Sequence, residues 1–187
     1  MRIPIPDHSL VMLCGPAGSG KSTFARKHFP ETAIVSSDRC RAMIGDDESN
    51  LGVSRDAFDL FHQIIAARLR NRRLAVADST ALGADARREL RQLARRAGVP
   101  VILIVFDVSE ATSAKQDETR PRRVGRPVIR EHWERLQEAL KQISRESYDQ
   151  VVILSEEDVR RATVEIGRRR GAEPASRGTE QGGRDGD

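Results

Sequence analysis

Residues Gly15 to Thr23 read Gly-Pro-Ala-Gly-Ser-Gly-Lys-Ser-Thr and satisfy the phosphate-loop pattern G-x-x-x-x-G-K-[ST] at every fixed position. The pattern has meaning only after a buried strand and before a helix. Both flanks are present: the apolar run Ser9-Leu-Val-Met-Leu-Cys14 precedes it, and Thr23-Phe-Ala-Arg-Lys-His28 can continue as a helix. Gly15, Pro16, Ala17, Gly18, Ser19, Gly20, Lys21, Ser22 and Thr23 form the candidate polyphosphate-binding set, because their successive N–H groups can converge on an anion at a helix N-terminus. Lys21 is placed to reach the β and γ phosphates, Ser22 to offer its hydroxyl to Mg²⁺, and Thr23 to pack or hydrogen-bond nearby. The competing reading is a glycine-rich turn that binds nothing.

A loop of this kind predicts alternating strands and helices, and the chain supplies them. Ala33-Ile-Val-Ser-Ser37 reads as a short strand ending at Asp38, with a short helix over Arg39–Ile44. Asp38 and Arg41 then lie at the carboxyl end of a strand, the edge of an open α/β sheet where ligands bind. Asp38 as a plain helix N-cap is the bland alternative, and the two roles are compatible. Gly45–Gly52 reads as an acidic solvated loop. Ser54 can cap a long helix whose Phe58, Phe61, Ile65 and Leu69 recur at helical spacing. Leu74-Ala-Val-Ala-Asp78 ends an apolar run in an acid, as a strand beside the loop does when its terminal carboxylate orients the Mg²⁺ shell. An amphipathic helix over Asp85–Ala97 follows, then the fully apolar strand Val101–Phe106.

Ser109 can cap a helix running to about Thr119. The next segment, Arg120-Pro-Arg-Arg-Val-Gly-Arg-Pro127, holds four arginines (Arg120, Arg122, Arg123 and Arg126) broken by proline and glycine. Helix cannot run through it. A mobile arginine-rich loop between helices suits a phosphoryl-transfer lid, and an ordinary basic surface loop is the alternative. Ile129, Trp133, Leu136, Leu140 and Ile143 form a core stripe, Gln150–Leu154 reads as the last strand, and Ser155 to Asp158 caps a final helix.

Composition limits the partners. A formal net charge of +4 favours a polyanion, but much of the arginine lies on helices among acids, where a solvated face accounts for it. One Trp and one Tyr argue against an aromatic base-stacking platform. Cys14 and Cys40 lack metal-ligand spacing and read as reduced thiols, which points to a cytoplasmic chain, and no segment is apolar enough to span a membrane. We divide the chain into an N-terminal extension over residues 1–8, a single α/β domain over 9–168 with a parallel sheet of about five strands between helices, and a tail over 169–187 that is expected to be disordered.

The ordered set of Gly-Pro-Ala-Gly-Ser-Gly-Lys-Ser-Thr-Phe-Ala-Arg, Ser36-Ser-Asp38-x-x-Arg41, Val76-Ala-Asp78-Ser-Thr80 and Val105-Phe-Asp-Val108 with a basic lid resembles the polynucleotide 5′-kinase family, most closely the kinase module of bacterial polynucleotide kinase-phosphatases. The likeness covers roughly residues 8–160. It implies transfer of the γ-phosphate of ATP to a 5′-hydroxyl end of RNA or DNA. It further implies that Asp38 is the general base, that Arg41 contacts the acceptor's phosphate, and that Lys21 with Ser22 and Mg²⁺ hold ATP. The chain departs from the family pattern twice. Gln116 stands where the family has a lid-helix arginine, and Ala81 where it often has Asn. No phosphatase or ligase module follows, so an end-healing partner is expected on another chain. Two other functions fit the same residues: a small-molecule kinase acting on a hydroxyl, and an ATP-binding switch with weak transfer, which Gln116 motivates.

Overall fold

The computed structural model describes residues 1–120 and 123–167. The expected tail over 169–187, and the two lid positions Pro121 and Arg122, lie outside the described residues.

The strands are β1 (Arg2–Pro6), β2 (Leu10–Cys14), β3 (Ile34–Ser36), β4 (Ala75–Asp78), β5 (Val101–Phe106), β6 (Gln150–Leu154) and β7 (Thr163–Gly167). The helices are α1 (Lys21–His28), α2 (Ser37–Gly45), α3 (Ser54–Arg70), α4 (Ala84–Ala97), α5 (Glu110–Glu118), α6 (Arg126–Ile143) and α7 (Glu156–Arg161). Five strands form one parallel sheet in the order β3-β4-β2-β5-β6, as the loop and the alternating pattern predict. β2 is central because it is covered on both faces, and all of its residues are buried. Its even positions, Leu10, Met12 and Cys14, pack with Phe61, Leu90 and Leu136 from α3, α4 and α6. Val11 and Leu13 point to the opposite face and pack with Phe24 of α1 and with Ile3 and Ile5 of β1. The strand's period of two thus divides one apolar run between two helix layers.

Residues 1–8 are more than a lead-in. β1 pairs in parallel with β7, the segment after α7, as a separate two-stranded sheet that follows the expected last strand β6. The bonds just beyond its two ends, Thr163 N–H to Met1 O and Asp7 N–H to Gly167 O, fall on odd-numbered residues and set the phase of the ladder. Pro4 and Pro6 therefore face the open edge, where a missing N–H costs no ladder bond.

Helix ends match the sequence reading with local corrections. Ser36, not Asp38, caps α2 by accepting from Arg39 N–H, which leaves the Asp38 carboxylate for other partners. Val53 rather than Ser54 precedes α3, and its buried stripe is Ala57, Phe61, Ile65 and Leu69, with Phe58 turned outward. Ser109 caps α5 as expected, accepting from Thr112 N–H, and Ser155 and Asp158 form a reciprocal capping box on α7.

Candidate active site at the carboxyl edge of the sheet

The loop between β2 and α1 takes the shape that its glycines allow. Gly18 and Gly20 have φ of 77° and 90°, and a Cβ on Gly18 would lie 2.3 Å from the carbonyl oxygen of Ser113. Only glycine lets α5 rest directly on the loop at this point. The start of the loop is fastened to the β4–α4 connection, where Gly15 N–H donates to Thr80 O at 3.0 Å and Cys14 Sγ approaches Ala81 O at 3.4 Å. Ala81 has φ of 46°, a left-handed conformation that Asn adopts more readily than Ala.

Lys21 is buried and folds back over the loop, with Nζ donating to Gly15 O at 2.9 Å and to Pro16 O at 2.6 Å. Burial pushes its pKa down to about 8, against the pull of Asp78 and with the push of Arg120. Asp78 ends β4 opposite Leu13 and is also buried. Burial drives its pKa up, while a hydrogen bond from the Ser22 hydroxyl and the charges of Lys21, Arg26 and Arg120 hold it back. Ser22 and Asp78 thus place a hydroxyl and a carboxylate oxygen side by side. Thr23 is exposed, so the expected packing role is not seen.

Across the edge, Asp38 lies in the first turn of α2 and pairs with Arg41 one turn on. Arg41 is only 9% exposed, and its Nε donates to Glu48 O at 2.8 Å, so the acidic loop that follows α2 helps to hold it. Met43 and Ile44 near the end of α2 and Leu51 in the connection to α3 are exposed.

The arginine-rich segment is less free than its composition predicts. Asp117, at 2% exposure, accepts from Val124 N–H at 3.1 Å and Gly125 N–H at 3.0 Å, and Arg126 is engaged with Glu118 at 3.0 Å. These bonds close the turn between α5 and α6. Arg120 is exposed, yet its charge is felt at both Lys21 and Asp78; Arg123 is exposed as well. Gln116 is exposed on α5, with its Oε1 3.8 Å from where a Cβ on Gly20 would stand, so the departing residue does overlook the phosphate loop.

One site residue was not anticipated. His132 of α6 reaches the loop, and Ala17 N–H donates to its Nδ1 at 3.3 Å. A lone histidine beside a core stripe carries no local signal, and its meeting with Ala17 depends on α6 folding back across the sheet.

A parallel sheet in this order, a phosphate loop after its central strand, and acidic and basic groups gathered at its carboxyl edge define a P-loop kinase-like domain. The chain belongs to the AAA domain family, whose sequence profile matches residues 10–143. Among solved structures it is similar to a chain of the Pnkp1/Rnl/Hen1 complex, with 24% identity and a TM-score of 0.51 over 57% of this chain and 38% of that one. A gluconokinase from Sinorhizobium meliloti 1021 matches over 84% of this chain and 90% of its own, with 18% identity and a TM-score of 0.51. The AvrRxo1-ORF1:-ORF2 structure with ATP matches at 16% identity and a TM-score of 0.57, over 79% of this chain and 54% of that one. These likenesses establish the fold, and the chain spans well under half of the first neighbour's length. No curated protein matches in sequence. Among the described residues no helix is long and apolar enough to cross a membrane.

Proposed function

We propose that the chain is an ATP-dependent phosphotransferase that carries the γ-phosphate to a hydroxyl, with the 5′-hydroxyl end of RNA or DNA as the leading acceptor. The observation that carries this reading is the meeting at one sheet edge of three groups: the Lys21 loop, the adjacent Ser22 and Asp78 oxygens, and the Asp38–Arg41 pair. Phosphoryl transfer needs little covalent chemistry from the protein; it needs the phosphates held, their charge offset and the acceptor oxygen deprotonated. The loop amides and Lys21 serve the first need. Asp38 would take the acceptor's proton, and Arg41 would hold an acceptor phosphate.

Mg²⁺ fits the remaining pair. Ser22 and Asp78 are hard oxygen donors, and a buried carboxylate with a raised pKa gains from a cation. Mg²⁺ is commonly bound through one or two carboxylates with the rest of its shell from phosphate and water, which this hydroxyl–carboxylate pair allows. Held by Ser22 and Asp78, such an ion would supply positive charge to offset the charge that develops in the transfer. Arg120, already felt at Lys21 and Asp78, is the lid arginine best supported for the transferring phosphate, with Arg123 the next in reach of a moving loop.

A second reading has its own support. The acceptor side combines the acidic run Asp46, Asp47, Glu48 with exposed Met43, Ile44 and Leu51, a surface better suited to a small or uncharged hydroxyl compound than to a long polyanion. Incubation with γ-labelled ATP, Mg²⁺ and either a 5′-hydroxyl oligonucleotide or a panel of small hydroxyl compounds separates the two. Labelled oligonucleotide whose yield falls steeply with salt supports the first. Label only on a small acceptor supports the second, and nucleotide binding without transfer to either would leave a binding switch.

A further inference from the structure

The Pro16–Ala17 peptide is held from both sides: its carbonyl accepts from Lys21 Nζ at 2.6 Å, and its N–H donates to His132 Nδ1 at 3.3 Å. Amides of a phosphate loop are oriented to donate to phosphate oxygens. The His132 nitrogen therefore stands where such an oxygen would accept. A ring nitrogen that accepts carries no proton, so the ring's proton is on Nε2. Burial and then the Lys21 charge push the pKa of His132 down, Arg135 acts in the same sense, and Glu131 opposes them. The ring in the empty loop is thereby kept neutral and able to accept.

Lys21 indicates which phosphate is involved. Its amine is the group that reaches the β and γ phosphates, and it is bonded to the same peptide whose N–H meets His132. The amides of Gly20, Lys21 and Ser22 open α1 and serve the phosphates nearer the nucleoside, which leaves Ala17 at the outer, γ end. His132 comes to this end from α6, directly after the turn that Asp117 closes.

We propose that His132 reads the terminal phosphate: it caps Ala17 N–H in the empty loop and, when a nucleoside triphosphate enters, yields that amide to the phosphate and hydrogen-bonds a γ-phosphate oxygen itself. The proposal rests on the nucleotide-dependent reading given above. A phosphate beside the ring favours its charged form, which turns Nδ1 from acceptor to donor. A donor there adds a second hydrogen bond to the terminal phosphate at the Ala17 end of the loop.

The test is calorimetric binding of the triphosphate analogue AMPPNP and of ADP, each with Mg²⁺, to wild type, His132→Ala and His132→Gln. His132→Ala should weaken AMPPNP by about tenfold, the loss of one hydrogen bond to a charged group, while ADP changes by less than about twofold. His132→Gln, which keeps an N–H donor, should recover part of the loss. In wild-type protein with nitrogen-labelled histidine, AMPPNP but not ADP should convert Nδ1 from acceptor to protonated donor; this spectrum decides the matter even if a variant folds poorly. An unchanged AMPPNP-to-ADP preference in His132→Ala together with an unchanged ring spectrum overturns the proposal. Tighter AMPPNP binding by His132→Ala also overturns it, since the ring would then be a competing cap and nothing more. Wild type that binds neither nucleotide overturns the nucleotide reading itself, and this proposal with it.

Discussion

Arg87 and Glu146 form an ion pair at 2.6 Å in which the guanidinium has no exposed surface at all. The same guanidinium donates to Ala81 O at 3.1 Å and Leu82 O at 2.8 Å, so it pins the connection that fastens the start of the phosphate loop. Removing one partner of a buried pair strands the other, and Glu146→Ala should destabilise the protein by about 3–5 kcal/mol in chemical unfolding. Burial acts to raise the pKa of Glu146, but its bonds with Arg87 and Tyr148 outweigh it and hold the pKa below the ordinary 4.5. The stability lost in Glu146→Gln should therefore be constant above about pH 5 and shrink as pH falls below the ordinary value.

Lys21 shows the opposite sign. Burial lowers its pKa to about 8 from 10.5, so the folded empty protein carries a penalty that is full below pH 8 and fades between those values. Lys21→Met should melt several degrees above wild type at pH 7 and lose this advantage as pH rises, while its turnover falls at least about hundredfold. A melting point below wild type at pH 7 would refute the penalty.

Asp38 lies in the first turn of α2 and pairs with Arg41. Asp38→Asn should lower kcat by roughly two to four orders of magnitude, the range for a positioned base, with nucleotide affinity nearly unchanged. Loss of nucleotide binding would reassign Asp38 to the metal.

Asp117→Ala removes the buried acceptor of Val124 and Gly125 N–H. Leaving those amides unpaired should cost about 1–3 kcal/mol and make the Arg123–Val124 bond, next to the freed amides, a faster site of trypsin cleavage. Equal cleavage rates would mean the turn is closed by other contacts.

Gln116 overlooks Gly20, so an arginine there can reach a transferring phosphate. Gln116→Arg should raise the transfer rate if no native cation serves, and change it little if Arg120 already does. In the second case Arg120→Ala alone should collapse turnover, by about two to three orders of magnitude. Failure of both variants to matter would remove the lid from the mechanism.

The sequence was most informative where local signals and fold agree. The loop, its strand and helix, the apolar run ending in Asp78 and the caps at Ser109 and Ser155 are all local patterns, and each stands where it was read. What was illegible depends on distant partners. Arg87 looks like one more arginine on a basic helix face, yet it is buried because Glu146 and two carbonyls surround it. Pro4 and Pro6 argue against a strand unless β7 is known to lie on the other side of β1. Phe58 fits the helical stripe as well as Ala57 does, and the spacing alone could not say which of the two neighbours turns inward. His132 could not be singled out because nothing near it in sequence says that Ala17 is its neighbour.

β1 and β7 lie far apart in the chain but run side by side in the same direction, in register from Arg2 with Thr163 to Pro6 with Gly167. A force applied to the start of β1 and the end of β7 would act along the strands, so the ribbon's bonds would carry the load together instead of parting one by one. The domain is thus fastened mechanically at its two ends. A machine that unfolds proteins by pulling on an end would have to break this ribbon, and expose Ile3 and Ile5, before it could unravel the phosphate loop.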